Sequence, residues 1–292
     1  MTPRRRFALL PALWLALFVA LPLGVVLKIS LAESLLALPP YSALLRWHDG
    51  WPRVDARLDN YLLALSDPIY LRSLLNSLRI AALATFLALL LGLPMAHGLA
   101  RSGLRWRPLL LTLVILPFWT SFLIRVYAWI GILKDEGLLN HALLALGLID
   151  APLVILNTEW ALQIGLVYAY LPFMVLPIYA SLAKADPALL EAAADLGCPP
   201  WRAFWQVTVP LARPGIVAGC LLMFVPAVGE VVIPDLLGGA NTLMLGRSLW
   251  TEFFANRDWP LASALAAIML LLLAGPIVAL ERNQARRRNA AT

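Results

Sequence analysis

Six apolar stretches, residues 7–27, 78–99, 108–130, 160–182, 214–232 and 261–280, dominate this chain of 292 residues. Each is close to the roughly 20 residues a helix needs to cross the hydrocarbon core of a bilayer. Backbone in lipid has to satisfy its own hydrogen bonds, which only helices and closed barrels achieve. Runs this continuous lack the alternating pattern of a barrel strand, so they predict an all-α polytopic membrane protein with six transmembrane helices in one domain spanning residues 1–292. Composition agrees: 61% of the residues are hydrophobic and 14% charged, where a soluble domain carries roughly a quarter.

The net charge of +6 raises the question of nucleic acid, and the distribution of charge answers it. Taking alternate connections, one set comprises the N-terminus, the loop after the second run, residues 183–213 and the C-terminal tail, and holds 13 basic and 4 acidic residues. The other set holds 8 basic and 12 acidic residues. That asymmetry is the orientation signal of a membrane protein, and it puts both termini and residues 183–213 on the cytoplasmic side. Arg4, Arg5 and Arg6 resemble the start of a signal peptide, but the run behind them is long enough to span and no clear small-residue cleavage site follows. His48, His97 and His141 share no helical face, and Cys198 and Cys220 have no metal-ligand spacing. No metal site, disulfide or catalytic residue is expected.

Residues 183–213 form a polar island between two apolar runs. Asp186 is placed to cap, Pro187 suits a first helical position, and Gly197 suits a left-handed helix end, which predicts a helix from Pro187 to Leu196. Pro199 and Pro200 restart the chain into a second short helix ahead of Pro210, with Trp201, Phe204, Trp205 and Val209 mainly on one side. The inner spacing is Glu191-Ala192-Ala193, three residues, Gly197, nine residues, then Val207, Val209 and Pro210. This resembles the coupling loop of bacterial ABC importer permeases, with valine where that family more often has isoleucine and leucine. The resemblance implies a type I importer permease fold and a cytoplasmic loop that docks on a separate ATPase. It further implies two ATPase copies, a second, homologous permease and an external cargo-binding protein. Read without the resemblance, the island is an amphipathic hairpin on the bilayer surface.

Longer runs resemble the polyamine (putrescine/spermidine) branch of these permeases, of the putrescine-importer type. They include I-L-P-F-W-T-S-F-L-I-R-V-Y-A-W-I-G-I-L from Ile115, V-Y-A-Y-L-P-F-M-V-L-P-I-Y from Val167 and V-P-A-V-G-E-V-V-I-P-D-L-L-G-G from Val225. A polyamine carries ammonium groups on an alkyl chain, so its path calls for aromatic faces and carboxylates. Ring faces attract cations by roughly 0.5–2 kcal/mol, enough to guide without trapping. Trp119, Tyr127 and Trp129 on the third run, and Tyr168, Tyr170 and Tyr179 on the fourth, are the aromatic candidates. Packing explains them equally well. Glu230, late in the fifth run, is the sharpest candidate because an ionisable group within a span normally faces a cavity or a partner. Arg125 lies at a similar height and is the alternative partner for it. Asp235 follows beyond Pro234, and Arg79 at the outer end of the second run is expected to snorkel.

The chain has no G-x-x-x-x-G-K-[S/T] run, so it is not expected to hydrolyse ATP by that chemistry; the resemblance implies that ATP and magnesium belong to the partner ATPase and that this chain itself carries no cofactor. Two rival readings remain at this point. One is a permease for another small solute. The other is a stand-alone carrier driven by an ion gradient, for which Glu230 alone lies near a coupling position.

Overall fold

A computed structural model describes residues 11–48, 51–239 and 242–289. The first residues of the first expected span, 7–10, lie outside the described residues, as do Arg4, Arg5, Arg6 and the Asp49-Gly50 pair. The chain divides into two compact units, residues 1–74 with 245–292, and residues 75–244.

In the first unit, α1 (Pro11–Ser30) is an apolar helix long enough to cross a membrane. Most of its side chains are exposed, as suits a helix that faces lipid. It packs along α12 (Trp259–Asn289), the sixth apolar run. The segment after α1 folds into a two-stranded antiparallel hairpin, β1 (Leu45–His48) and β2 (Trp51–Val54), followed by α2 (Asp59–Ser66). This hairpin was not expected from an all-helical reading. It lies in the mixed, tryptophan-bearing connection, where water can serve backbone groups that lipid cannot. Asn60 pins the end of α1 by donating to the carbonyls of Ser30 and Ala32, at 3.0 and 2.8 Å. Tyr61 adds a hydroxyl contact to Ser30 at 2.6 Å. Leu245, Leu261 and Leu265 form this unit's core with Ala64. Beside it the Tyr70 hydroxyl donates to Glu252 at 2.8 Å. The connection ahead of α12 holds a short helix, α11 (Leu245–Trp250), extended by a wide turn through Ala255.

The second helix of the membrane region, α3 (Pro68–Arg101), starts some ten residues before the expected span. In the second unit, α4 (Arg107–Trp119) and α5 (Phe122–Leu133) make up the third run, and a short apolar helix, α6 (Leu138–Ala145), follows it. The third run is therefore not one straight helix. The chain bends by 92° at Thr120 and Ser121, whose backbone is extended. A break inside an apolar segment frees polar backbone groups, and Arg125 satisfies one of them by donating to the Pro117 carbonyl at 2.7 Å.

The hub of this unit is α7 (Glu159–Leu182), the fourth run almost to the residue, with Leu162, Leu166, Met174 and Ile178 fully buried. Against it lies α9 (Pro200–Val228). Two glycines one turn apart explain the closeness. A Cβ on Gly215 would run into the Pro177 carbonyl and Ile178 Cα, and one on Gly219 would meet the Met174 backbone at 3.0 Å. Lipid supplies no hydrophobic drive between helices, so small residues that admit close backbone approach do the associating. Gly165 instead leaves room for the side chains of Ile233 and Leu237, at α10 (Val232–Leu236) and just beyond it.

Candidate functional site

The island folds as its start and stop signals demand. Helix α8 (Ala188–Asp195) begins where Asp186 Oδ1 accepts the Ala188 amide at 3.0 Å, so the Asp186 cap forms as expected. It ends at Gly197, whose φ of +74° carries the chain out of the helix. The amides of Gly197 and Cys198 return to the carbonyls of Ala194 and Ala193 at 2.8 and 3.0 Å, a Schellman closure. The consequence is a short, well-terminated helix that presents Glu191, Ala192 and Gly197 outward, with Ala193 half-buried. Leu196, Trp201 and Trp205 beside it are also exposed, at 87%, 64% and 60%.

The second half of the island differs from expectation. It is not a separate helix stopped by Pro210. Residues 200–228 run on as one helix, through a wide turn at Phe204–Thr208 in which the Val209 amide reaches back to the Phe204 carbonyl. A proline that lacks an N–H and crowds the preceding turn is accommodated where the helix has already widened. Pro210 itself is exposed. The second half of the island, from Pro200 on, is therefore mechanically continuous with the fifth span. Phe204 anchors it by an edge-on contact with His97 of α3, centroids 5.1 Å apart.

At the other end of α9 the helix breaks at Gly229, and Glu230 fills the break. Its side chain is 8% exposed. One carboxylate oxygen accepts from the amides of Val231, Val232 and Ile233, at 3.3, 3.1 and 3.5 Å, and so caps α10. The other accepts from the Tyr170 hydroxyl on α7. Two residues singled out separately in the sequence thus meet in one clasp. The expected alternative, Glu230 paired with Arg125, does not form: Arg125 caps the α4–α5 break and lies over the Phe118 and Phe122 rings, at 5.2 and 5.7 Å. Arg79 does not simply snorkel, since it pairs with Glu159 at the start of α7.

Trp129 and Tyr168 also meet, edge to face at 5.3 Å, and Phe173 links Tyr170 to Phe118 at 6.1 and 5.2 Å. The result is a run of ring faces along α7 facing α4 and α5. Trp119 and Tyr127 stand apart from it, 74% and 59% exposed. Asp235 sits exposed on α10. The clasp leaves no signal in the sequence, because nothing in the spacing says that the fifth helix stops at Gly229 and needs a cap.

Residues 88–289 match the family described as binding-protein-dependent transport system inner membrane component. The spermidine/putrescine transport system permease protein PotB of Haemophilus influenzae is 42% identical over 261 residues, 89% of this chain and 87% of the relative. PotB of Escherichia coli strain K12 is 43% identical over 260 residues, covering 89% and 90%. A solved bacterial alginate ABC transporter, in complex with an alginate-pentasaccharide-bound periplasmic protein, superposes with a TM-score of 0.69 at 17% identity. That match covers 99% of this chain and 95% of the other and speaks for the fold alone. With the family match spanning most of the chain and the relatives nearly all of it, the chain belongs to the multi-pass inner-membrane permease components of bacterial binding-protein-dependent transport systems.

Proposed function

We propose that this chain is the membrane-spanning subunit of an ATP-driven importer for polyamines, with putrescine the first cargo to test and spermidine the second. The single observation that carries the cargo class is identity above 40% over 89% of the chain to permeases of spermidine/putrescine transport systems. Cargo arrives from an external binding protein, a second permease completes the pore, and a pair of ATPase subunits with ATP and magnesium supplies the work.

The geometry gives this reading a mechanical route. An ATPase pressing on the outward face of α8, at Glu191, Ala192, Ala193 and Gly197, reaches α9 through the short turn from Gly197 to Pro199, and the helix from Pro200 to Val228, unbroken through Pro210, carries the motion on. The glycine contacts pass that motion to α7. Any displacement of α9 along α7 loads the Tyr170–Glu230 clasp at the far end. A gate between two arrangements of packed helices is the usual form of such transitions. For the cargo, Trp129, Tyr168 and Tyr170 offer ring faces to an ammonium group, and Trp119, Tyr127 and Asp235 are exposed to whatever completes the path.

Uptake of labelled putrescine by cells carrying the complete operon tests the reading. Unlabelled putrescine and spermidine are expected to compete, and an uncharged diamide of similar length is not. Equal competition by the diamide overturns the cationic cargo, and purification of an active particle without an ATPase overturns the coupling assignment.

A further inference from the structure

On the island side of the bundle, a cavity of about 550 Å³ separates the turn joining α3 and α4 from the base of α8. Its charged walls are Arg101 and Arg107 on one side and Asp186 and Glu191 on the other, with His97 between the helices. Two polar groups there lack partners among the described residues. Thr208, only 2% exposed, lines the cavity with its Oγ1 unbonded, and the buried Arg107 Nε is likewise unmatched. The outer end of the same guanidinium is occupied, donating to the carbonyls of Ala100 and Ser102 at 3.0 and 3.2 Å. Buried polar groups nearly always have a partner, so two in one cavity mark a missing acceptor.

A second cavity, about 520 Å³ and lined almost wholly by apolar side chains, continues along the same helices toward the membrane interior. Pro94, Gly98 and Arg101 share one face of α3 at helical spacing, and Arg107, Leu110 and Val114 share one face of α4. Each of these stripes passes from the apolar groove into the charged cavity.

We propose that the two cavities together hold one phospholipid whose headgroup joins a phosphate to a primary ammonium. The phosphate takes the donors of Arg107, Arg101 and Thr208, since guanidinium groups favour phosphate oxygens. The ammonium faces Asp186 and Glu191, and one acyl chain lies in the apolar groove. Charge chooses among headgroups: two cations and two carboxylates balance, so a ligand with both charges matches where a purely anionic one meets the acids. The lipid ties the coupling helix to the α3–α4 turn.

The test uses the complete transporter, extracted and exchanged into bilayer discs of phosphatidylcholine alone or with phosphatidylethanolamine or phosphatidylglycerol, with retained lipid read by native mass spectrometry. Phosphatidylethanolamine is expected to be retained preferentially. Thr208→Val and Arg107→Gln should each lower its occupancy about tenfold, the scale of one charge-assisted bond, and Arg107→Lys should fall between. Inorganic phosphate as competitor should not displace it. Equal or better retention of phosphatidylglycerol, unchanged occupancy in both variants, or displacement by inorganic phosphate would each overturn the proposal.

Discussion

A carboxylate inside a membrane bundle is costly unless its oxygens are matched, and Glu230 is matched at both. Hydrogen bonds to charged groups contribute roughly 1.5–3 kcal/mol, and a lost helix cap costs about 0.5–2. Glutamine at this position can still accept the three amides, but it loses the charge that strengthens both contacts. Glu230→Gln is therefore expected to reduce uptake about tenfold, and Tyr170→Phe to reduce it less. The double variant should be no worse than Glu230→Gln, because both changes open one clasp. Initial uptake rates in cells with matched expression check this. A different pattern would mean direct cargo contact: Glu230→Gln impairing cationic cargo only, with Tyr170→Phe neutral. Arg125 follows the same logic with opposite charge, its guanidinium serving the Pro117 carbonyl at the other break in the unit.

At the scale of elements, the glycine stripe of α9 sets the distance to α7. Gly215→Ala puts a methyl group against the backbone of Pro177 and Ile178, which no rotamer change relieves. Overpacking of this kind costs typically 1–3 kcal/mol. The thermal midpoint of the purified protein in detergent should fall for Gly215→Ala and stay put for Gly131→Ala, whose added methyl meets nothing within 4 Å. Gly197 is constrained by conformation alone, since its Cβ would have open space but its φ is +74°. Gly197→Val is thus expected to leave membrane insertion intact, fray the end of α8 and lower uptake, measured as transport per inserted molecule. Signals of this local kind were legible in the sequence. Asp186 and Gly197 each act through a few neighbouring atoms, and the fourth span is bounded by polar residues at both ends. The bend at Thr120 was legible only in part: Pro117 marks an interruption of the third run, but apolar residues continue on both sides of it and nothing in the pattern gives a 92° change of direction. The start of the fifth helix was misplaced for a related reason: Pro210 stops a regular helix but not one that has already widened at Phe204–Thr208.

For the whole molecule, the spacing from Glu191 to Pro210 and the family runs were legible as linear patterns. The meeting of Tyr170 with Glu230, 60 positions apart, depends on how α7 and α9 pack and leaves no linear trace. The sidedness of the chain rests on counting charges, and the island offers a direct check on it. Cys198 follows Gly197 at the end of α8 and is half-buried, its thiol 3.8 Å from the Pro199 carbonyl, while Cys220 lies in the middle of α9 within the membrane. In a Cys220→Ser background, a membrane-impermeant maleimide is expected to label Cys198 in inverted vesicles and not in intact cells. If ATPase subunits cover α8, adding them to stripped vesicles should slow that labelling severalfold, since the thiol lies one helix end away from Glu191. Labelling from intact cells would invert the topology, and with it the direction of every helix from α3 to α12, so that neither ATPase docking nor inward delivery would follow from this fold.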